Sequence, residues 1–162
     1  MTDYTRKVDI VKDSANVAGR KTIVFVDASS LTTVPAGSSE TITVQPPSGK
    51  IWRVVGCGFW CDPPSGATSG NHQVYIYCRP STLTIIGVKV SSSYDKSVRI
   101  EYGSNALESP TPSDQVAFLH SLQSVIGTYD IPFKVHYWNS TDADQTNERK
   151  IELLLEEEDE AE

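Results

Sequence analysis

The chain has 162 residues, enough for one domain that hides most of the surface its unfolded form would expose. Seven Tyr, three Trp and four Phe set among regular Val/Ile runs exclude disorder throughout, and no run of 18 apolar residues is present to span a membrane as a helix. The formal charge of −7 is concentrated at one end: residues 148–162 carry eight acids against Arg149 and Lys150, whereas the rest holds 13 acids and 12 bases. A body so near neutral lacks the basic stripe that tracks phosphates, so neither a nucleic acid nor a membrane is an expected partner.

Residues 1–20 mix charges with few apolar residues and show no clear period. They read as an N-terminal arm, either frayed or ordered by crossing onto a neighbouring subunit, with Val8, Ile10 and Val11 as its candidate anchors. No apolar segment follows Met1–Lys7, so an ordinary secretory signal is not expected and the protein is expected to stay where it is made.

From residue 22 a period of two dominates. Thr22–Asp27 is β-branched and aromatic, Thr41–Val44 alternates polar with apolar, and Ile51–Cys61 is apolar on both faces, as a central strand would be. Gly56 and Gly58 inside that last stretch predict a bend or bulge. Val74, Ile76 and Cys78 share one face of the next strand, with Tyr75 and Tyr77 on the other. Thr82–Val90 and Ser97–Tyr102 follow. Residues 114–126 place Val116, Leu119 and Leu122 at helical spacing and read as a short helical turn running into a strand. Ile131, Phe133, Val135 and Tyr137 then line one strand face opposite Lys134, His136 and Trp138. A last strand over about 149–155 turns Ile151, Leu153 and Leu155 inward.

Turn chemistry separates these segments: Pro46-Pro47-Ser48-Gly49, Asp62-Pro63-Pro64-Ser65-Gly66, Ser91–Asp95 and Ser109–Ser113. Eight or nine short strands spaced in this way predict an all-β, antiparallel, jelly-roll-like β-sandwich over residues 21–155. Residues 156–162 follow as an acidic tail, either a solvated end or a segment that docks on a basic surface.

No chemistry-bearing motif emerges. Cys57, Cys61 and Cys78 lack zinc-knuckle spacing and read as free buried thiols; a hairpin of the 51–61 and 72–78 strands would set Cys57 opposite Ile76 and diagonal to Cys78. His72, His120 and His136 form no close His-x-His pair. Nucleophile elbows and phosphate loops are absent, and Glu101 beside Arg99 reads as an exposed face. The loop Asn139–Glu148 offers Asp142, Asp144, Asn147 and Glu148 as oxygen ligands but lacks the central glycine of a calcium loop, so a polar hairpin is expected. Asn139-Ser140-Thr141 is formally a glycosylation acceptor, idle without a secretory route. The expectation is a protein with no catalytic residues, no metal and no cofactor.

The aromatics carry more. Trp60, Tyr75, Tyr77 and Trp138, with Trp52, fall on strands near edges or second faces, where they would serve subunit contact, ordinary core or sugar stacking. Subunit contact or core is the preferred expectation.

Val34-Pro35-Ala36-Gly37, the run from Glu40 to Trp52, Tyr137–Asp142 and Arg149–Leu153 together resemble the opening and the final hairpin of small β-sandwich proteins of tailed-phage virions. The resemblance spans about 30–155 and rests on turn and strand texture. It implies a virion structural protein, often trimeric, that decorates or reinforces a capsid by contact with the major capsid protein or another virion protein. A carbohydrate- or receptor-binding module of a tail or fibre is the alternative. The virion would then be its location, after synthesis in the host cytoplasm. The acidic C-terminus and the three cysteines depart from that pattern.

Overall fold

A computed structural model describes residues 6–10, 22–78, 86–103, 106–107, 115–118 and 126–161. Twelve strands and no helix occur among them: β1 (Arg6–Ile10), β2 (Thr22–Asp27), β3 (Ser38–Val44), β4 (Lys50–Cys61), β5 (Gly70–Cys78), β6 (Ile86–Ser93), β7 (Val98–Gly103), β8 (Ala106–Leu107), β9 (Gln115–Phe118), β10 (Ile126–Gly127), β11 (Phe133–Thr141) and β12 (Arg149–Asp159). One sheet has seven strands in the order β1-β2-β12-β4-β7-β8, with β10 also on β4; the other has five, β3-β11-β5-β6-β9. Every pairing is antiparallel. The chain is therefore an all-β antiparallel sandwich.

Alternation builds the core. Val24 and Val26 of β2, Val54 and Phe59 of β4, and Ile151, Leu153 and Leu155 of β12 face Val74 and Ile76 of β5 and Phe133, Val135 and Tyr137 of β11, all nearly or fully buried. Each large aliphatic side chain so buried contributes roughly 1.5–3 kcal/mol. The bulge expected near Gly56 is present. Leu154 pairs with Gly56 and Leu155 with Val54, so Val55 is skipped in the register.

Several expectations change. β4 and β5 do not form a hairpin; the Asp62–Ser69 connection carries the chain from one sheet to the other, and Cys57 lies opposite Leu153 and Tyr102. Alternation alone does not say whether two neighbouring strands pair or face each other across a core. Gln115–Phe118 is strand rather than helical turn, since Val116 pairs with Val90; residues 119–125 lie outside the described residues, as do Thr82–Ile85. Arg6–Ile10, placed in the arm, pairs with β2 as an edge strand, whereas the rest of residues 1–20 lies outside the described residues.

The acidic tail also changes. β12 continues past Leu155 to Asp159, because inward Glu157, 9% exposed, accepts a hydrogen bond from the indole of Trp52 at 2.7 Å. Trp52 itself is core, one of the readings preferred for the aromatics, at 1% exposure. Outside that pair, Lys50 bonds Asp159.

Gly70 opens β5 at φ +93°, and a Cβ there would stand 2.2 Å from the Ser140 carbonyl oxygen, so the β5–β11 approach requires glycine.

Candidate functional site

One end of the core is polar. The Arg149 guanidinium is fully buried, with Nε and Nη2 on Glu40 Oε2 at 3.0 and 2.9 Å. It also donates to the hydroxyl of Ser30 and the carbonyls of Thr32 and Asn147. Its cation lies 5.3 Å from the Tyr137 ring centroid. Leu31, 72% exposed, stands on the loop that these bonds hold from beneath.

Beside this pair, His72 Nε2 meets the Lys96 carbonyl at 2.7 Å, which fixes the proton on Nε2 and makes Nδ1 the acceptor of the Tyr137 hydroxyl at 3.1 Å. Gln145 donates to that hydroxyl, to Cys61 Sγ and to the Asp62 carbonyl. No buried side-chain polar atom among the described residues lacks a partner. This network closes the end of the sandwich and is sealed from solvent, with His72, Gln145 and Arg149 at 0% exposure.

The residues screened for chemistry are occupied in the same way. All three cysteines are free and buried, and burial pushes each thiol up to about 12, so none supplies thiolate at neutral pH. Asp142 accepts from Thr68 N, Thr68 Oγ1 and Ser69 N at 2.8, 2.6 and 3.2 Å. Those donors hold its carboxyl well below the usual carboxylate range. Asp144 accepts from Ala36 N at 3.0 Å. Asn139, the formal glycosylation acceptor, is buried and donates its amide to the Val34 and Ala143 carbonyls. No His/Cys/Asp/Glu group with metal-holding geometry occurs among the described residues.

The open surfaces are the two outer sheet faces, and they differ. The four candidate aromatics do not form one site, because Trp60 lies on the outer face of the seven-stranded sheet and Tyr75, Tyr77 and Trp138 on that of the five-stranded sheet. Trp60, 43% exposed, sits in register between Lys150 and Arg99, with the Arg99 guanidinium 5.1 Å from its ring centroid. Its indole donates to Asp62 Oδ1 at 3.2 Å. Along the same face Leu154, 38% exposed, lies between Phe25 and Gly56. Phe25 pairs in turn with Val8, and Ile10 with Ile23; Val11, the third candidate anchor, lies outside the described residues.

On the five-stranded sheet, register lines up Thr41, His136, Tyr75 and Lys89 across four strands. A second row runs Ser39, Trp138, Gln73 and Ser91, and a third has Lys134 beside Tyr77. The His136 ring meets Tyr75 edge-on at 5.9 Å between centroids and Trp138 tilted at 6.3 Å. Lys89 Nζ stands 5.0 Å from the Tyr75 centroid. The rings are held in place: Thr41 Oγ1 lies 2.7 Å from His136 Nδ1, the Tyr75 hydroxyl donates to Gln73 at 3.1 Å, and the Trp138 indole donates to Ser140. Partial burial lowers the His136 pKa, which favours neutral imidazole in the patch.

Sequence reasoning placed Tyr75, Tyr77, His136 and Trp138 outward correctly but did not bring together His136 with Tyr75, or Lys89, Gln73 and Thr41 with either ring. The face shared by His136 and Trp138 follows from alternation; the cross-strand neighbours required the register. No protein-family model matches the chain, and no curated protein matches it.

Proposed function

We propose that the chain is a structural module of a tailed-phage virion that decorates or stabilises the capsid through subunit contacts, as a homo-oligomer with a trimer favoured. The observation that carries this reading is the nested pairing of β2 with β12, β3 with β11, β4 with β7 and β5 with β6, across two sheets. Nested pairing of this kind is what an eight-strand jelly roll, a fold used for viral shells, would have, and it supports the jelly-roll reading of the sandwich. The surface adds material for contact: Trp60 and Leu154 on an outer sheet face, and Leu31 on its pinned loop, are apolar and exposed. An interface of about 1,600 Å² repeated around a three-fold axis would clamp neighbouring shell subunits.

Size-exclusion chromatography with light scattering, followed by co-sedimentation with assembled shells and with free shell protein, tests the proposal. A particle of three times 17.8 kDa that sediments with assembled shells alone is the expected result. A monomer that binds neither overturns it. A second reading, a glycan- or receptor-binding module of a tail or fibre, is favoured by one observation: the Tyr75–His136–Trp138 patch on an open sheet face.

A further inference from the structure

We propose that the outer face of the five-stranded sheet binds an anionic saccharide, with Tyr75, His136 and Trp138 as the stacking platform and Lys89 and Lys134 as the charge-selecting groups. This inference rests on the glycan reading above and narrows it to a ligand class.

Three observations lead to it. The rings succeed one another at 5.9 and 6.3 Å, so a chain of sugar rings laid across β5 and β11 meets an aromatic face or edge at each step. Those rings are fixed before any ligand arrives, because Tyr75 is tied to Gln73, His136 to Thr41 and Trp138 to Ser140. A platform already ordered loses little side-chain entropy on binding. Trp138 remains 39% exposed, so ring surface is open to a ligand.

The third observation is charge. Among the described residues, the outward positions of β3, β11, β5 and β6 hold Lys89 and Lys134 and no carboxylate. Lys134 Nζ donates to Thr43 at 2.6 Å, one row from His136, while Lys89 lies over Tyr75 on the other side. The opposite sheet turns Glu152, Glu156 and Glu158 outward instead. The overall charge of −7 would repel an anion, so two lysines gathered on the aromatic face make it the surface suited to one. Hydroxyl and amide side chains around the rings (Thr41, Gln73, Ser91) match the hydroxyl-rich edge of a sugar and suit a protein core poorly. Two lysines fall short of the basic track that a nucleic acid requires.

The full chain is titrated with tetramannuronate and tetragalacturonate in one arm, glycerol-phosphate-linked teichoic oligomers in a second, and neutral mannotetraose in a third. Calorimetry and tryptophan fluorescence report binding. The expected result is binding of one acidic arm at least tenfold tighter than mannotetraose; the responding arm tells carboxylate from phosphate. Trp138→Ala should weaken that binding about tenfold or more, whereas Trp60→Phe, on the other sheet, leaves it unchanged. Lys89→Gln should lower the preference for acid over neutral sugar, and Lys89→Gln combined with Lys134→Gln should remove it. Equal binding of acidic and neutral sugars overturns the anionic selectivity while the glycan reading stands. Absence of binding in all three arms overturns both. Acidic binding that survives Trp138→Ala but disappears with Lys89→Gln overturns the stacking platform. Circular dichroism and unchanged thermal melting of each variant separate loss of binding from loss of fold.

Discussion

Replacing Glu40 by Gln removes one charge from a pair whose other member cannot reach water. Arg149 is fully buried, and Glu40 Oε2 takes two of its donors. Breaking a buried ion pair by removing one partner costs about 3–5 kcal/mol. Glu40 keeps 16% side-chain exposure, and glutamine retains a carbonyl oxygen for the same donors, which sets the expected loss near the lower limit, about 3 kcal/mol. For a domain of this size that loss lowers Tm by roughly 6–12 °C. Urea unfolding followed by tryptophan fluorescence is the assay, with an unchanged m-value required to read the midpoint shift as stability. The double variant Glu40→Gln/Arg149→Met should recover part of that loss, because it leaves no buried charge unpaired although the Thr32 and Asn147 carbonyls lose their donor. A loss below about 1 kcal/mol for Glu40→Gln alone would refute the reasoning.

Truncation after Leu155 should destabilise the fold by about 1–3 kcal/mol, because it orphans the buried indole of Trp52; an unchanged urea midpoint would return residues 156–162 to the status of a solvated tail. Native protein at pH 7.5 should leave Cys57, Cys61 and Cys78 unmodified by iodoacetamide, since a thiol pKa near 12 instead of 9.0 cuts the thiolate by about a thousandfold; prompt alkylation without denaturant would contradict their burial. Asp142 has a folded pKa below its unfolded value of 3.8, so its contribution is present above that pH and is lost as acid protonates the folded carboxylate. Asp142→Asn should therefore flatten the acid limb of a stability–pH curve below about pH 4, and an unchanged limb counts against the Thr68–Ser69 bonds.

Faces were legible in the sequence wherever a period of two meets a buried partner. Ile151, Leu153 and Leu155, and likewise Phe133, Val135 and Tyr137, point where alternation sends them. Partners were not legible, because nothing in β4 or β5 says whether they share a sheet, and Cys57 consequently changed neighbours. Charge misled at Glu157: six acids in seven residues read as a solvated or partner-docking tail, yet one outlying indole donor draws that carboxylate inward. The Arg149–Glu40 pair is 109 residues apart in the chain, and no local pattern announces it. His136 was legible as the outward neighbour of Trp138, but Tyr75 and Thr41 lie on other strands, so no spacing within β11 announces the patch.

The position of β12 has a consequence for biosynthesis. It is the last strand of the sandwich in chain order, yet it lies between β2 and β4 and pairs with both along most of its length. At ~5–20 residues per second, the ~88 residues from Cys61 to Arg149 take roughly 4–18 s to polymerise. For that interval the edge of β4 destined for β12 has no partner, in a strand that carries Trp52, Val54 and Phe59. An open apolar edge of this kind is what aggregation uses. Soluble yield should therefore depend on holdase chaperones during translation, and a ribosome stalled before Arg149 releases a chain with its seven-stranded sheet split in two.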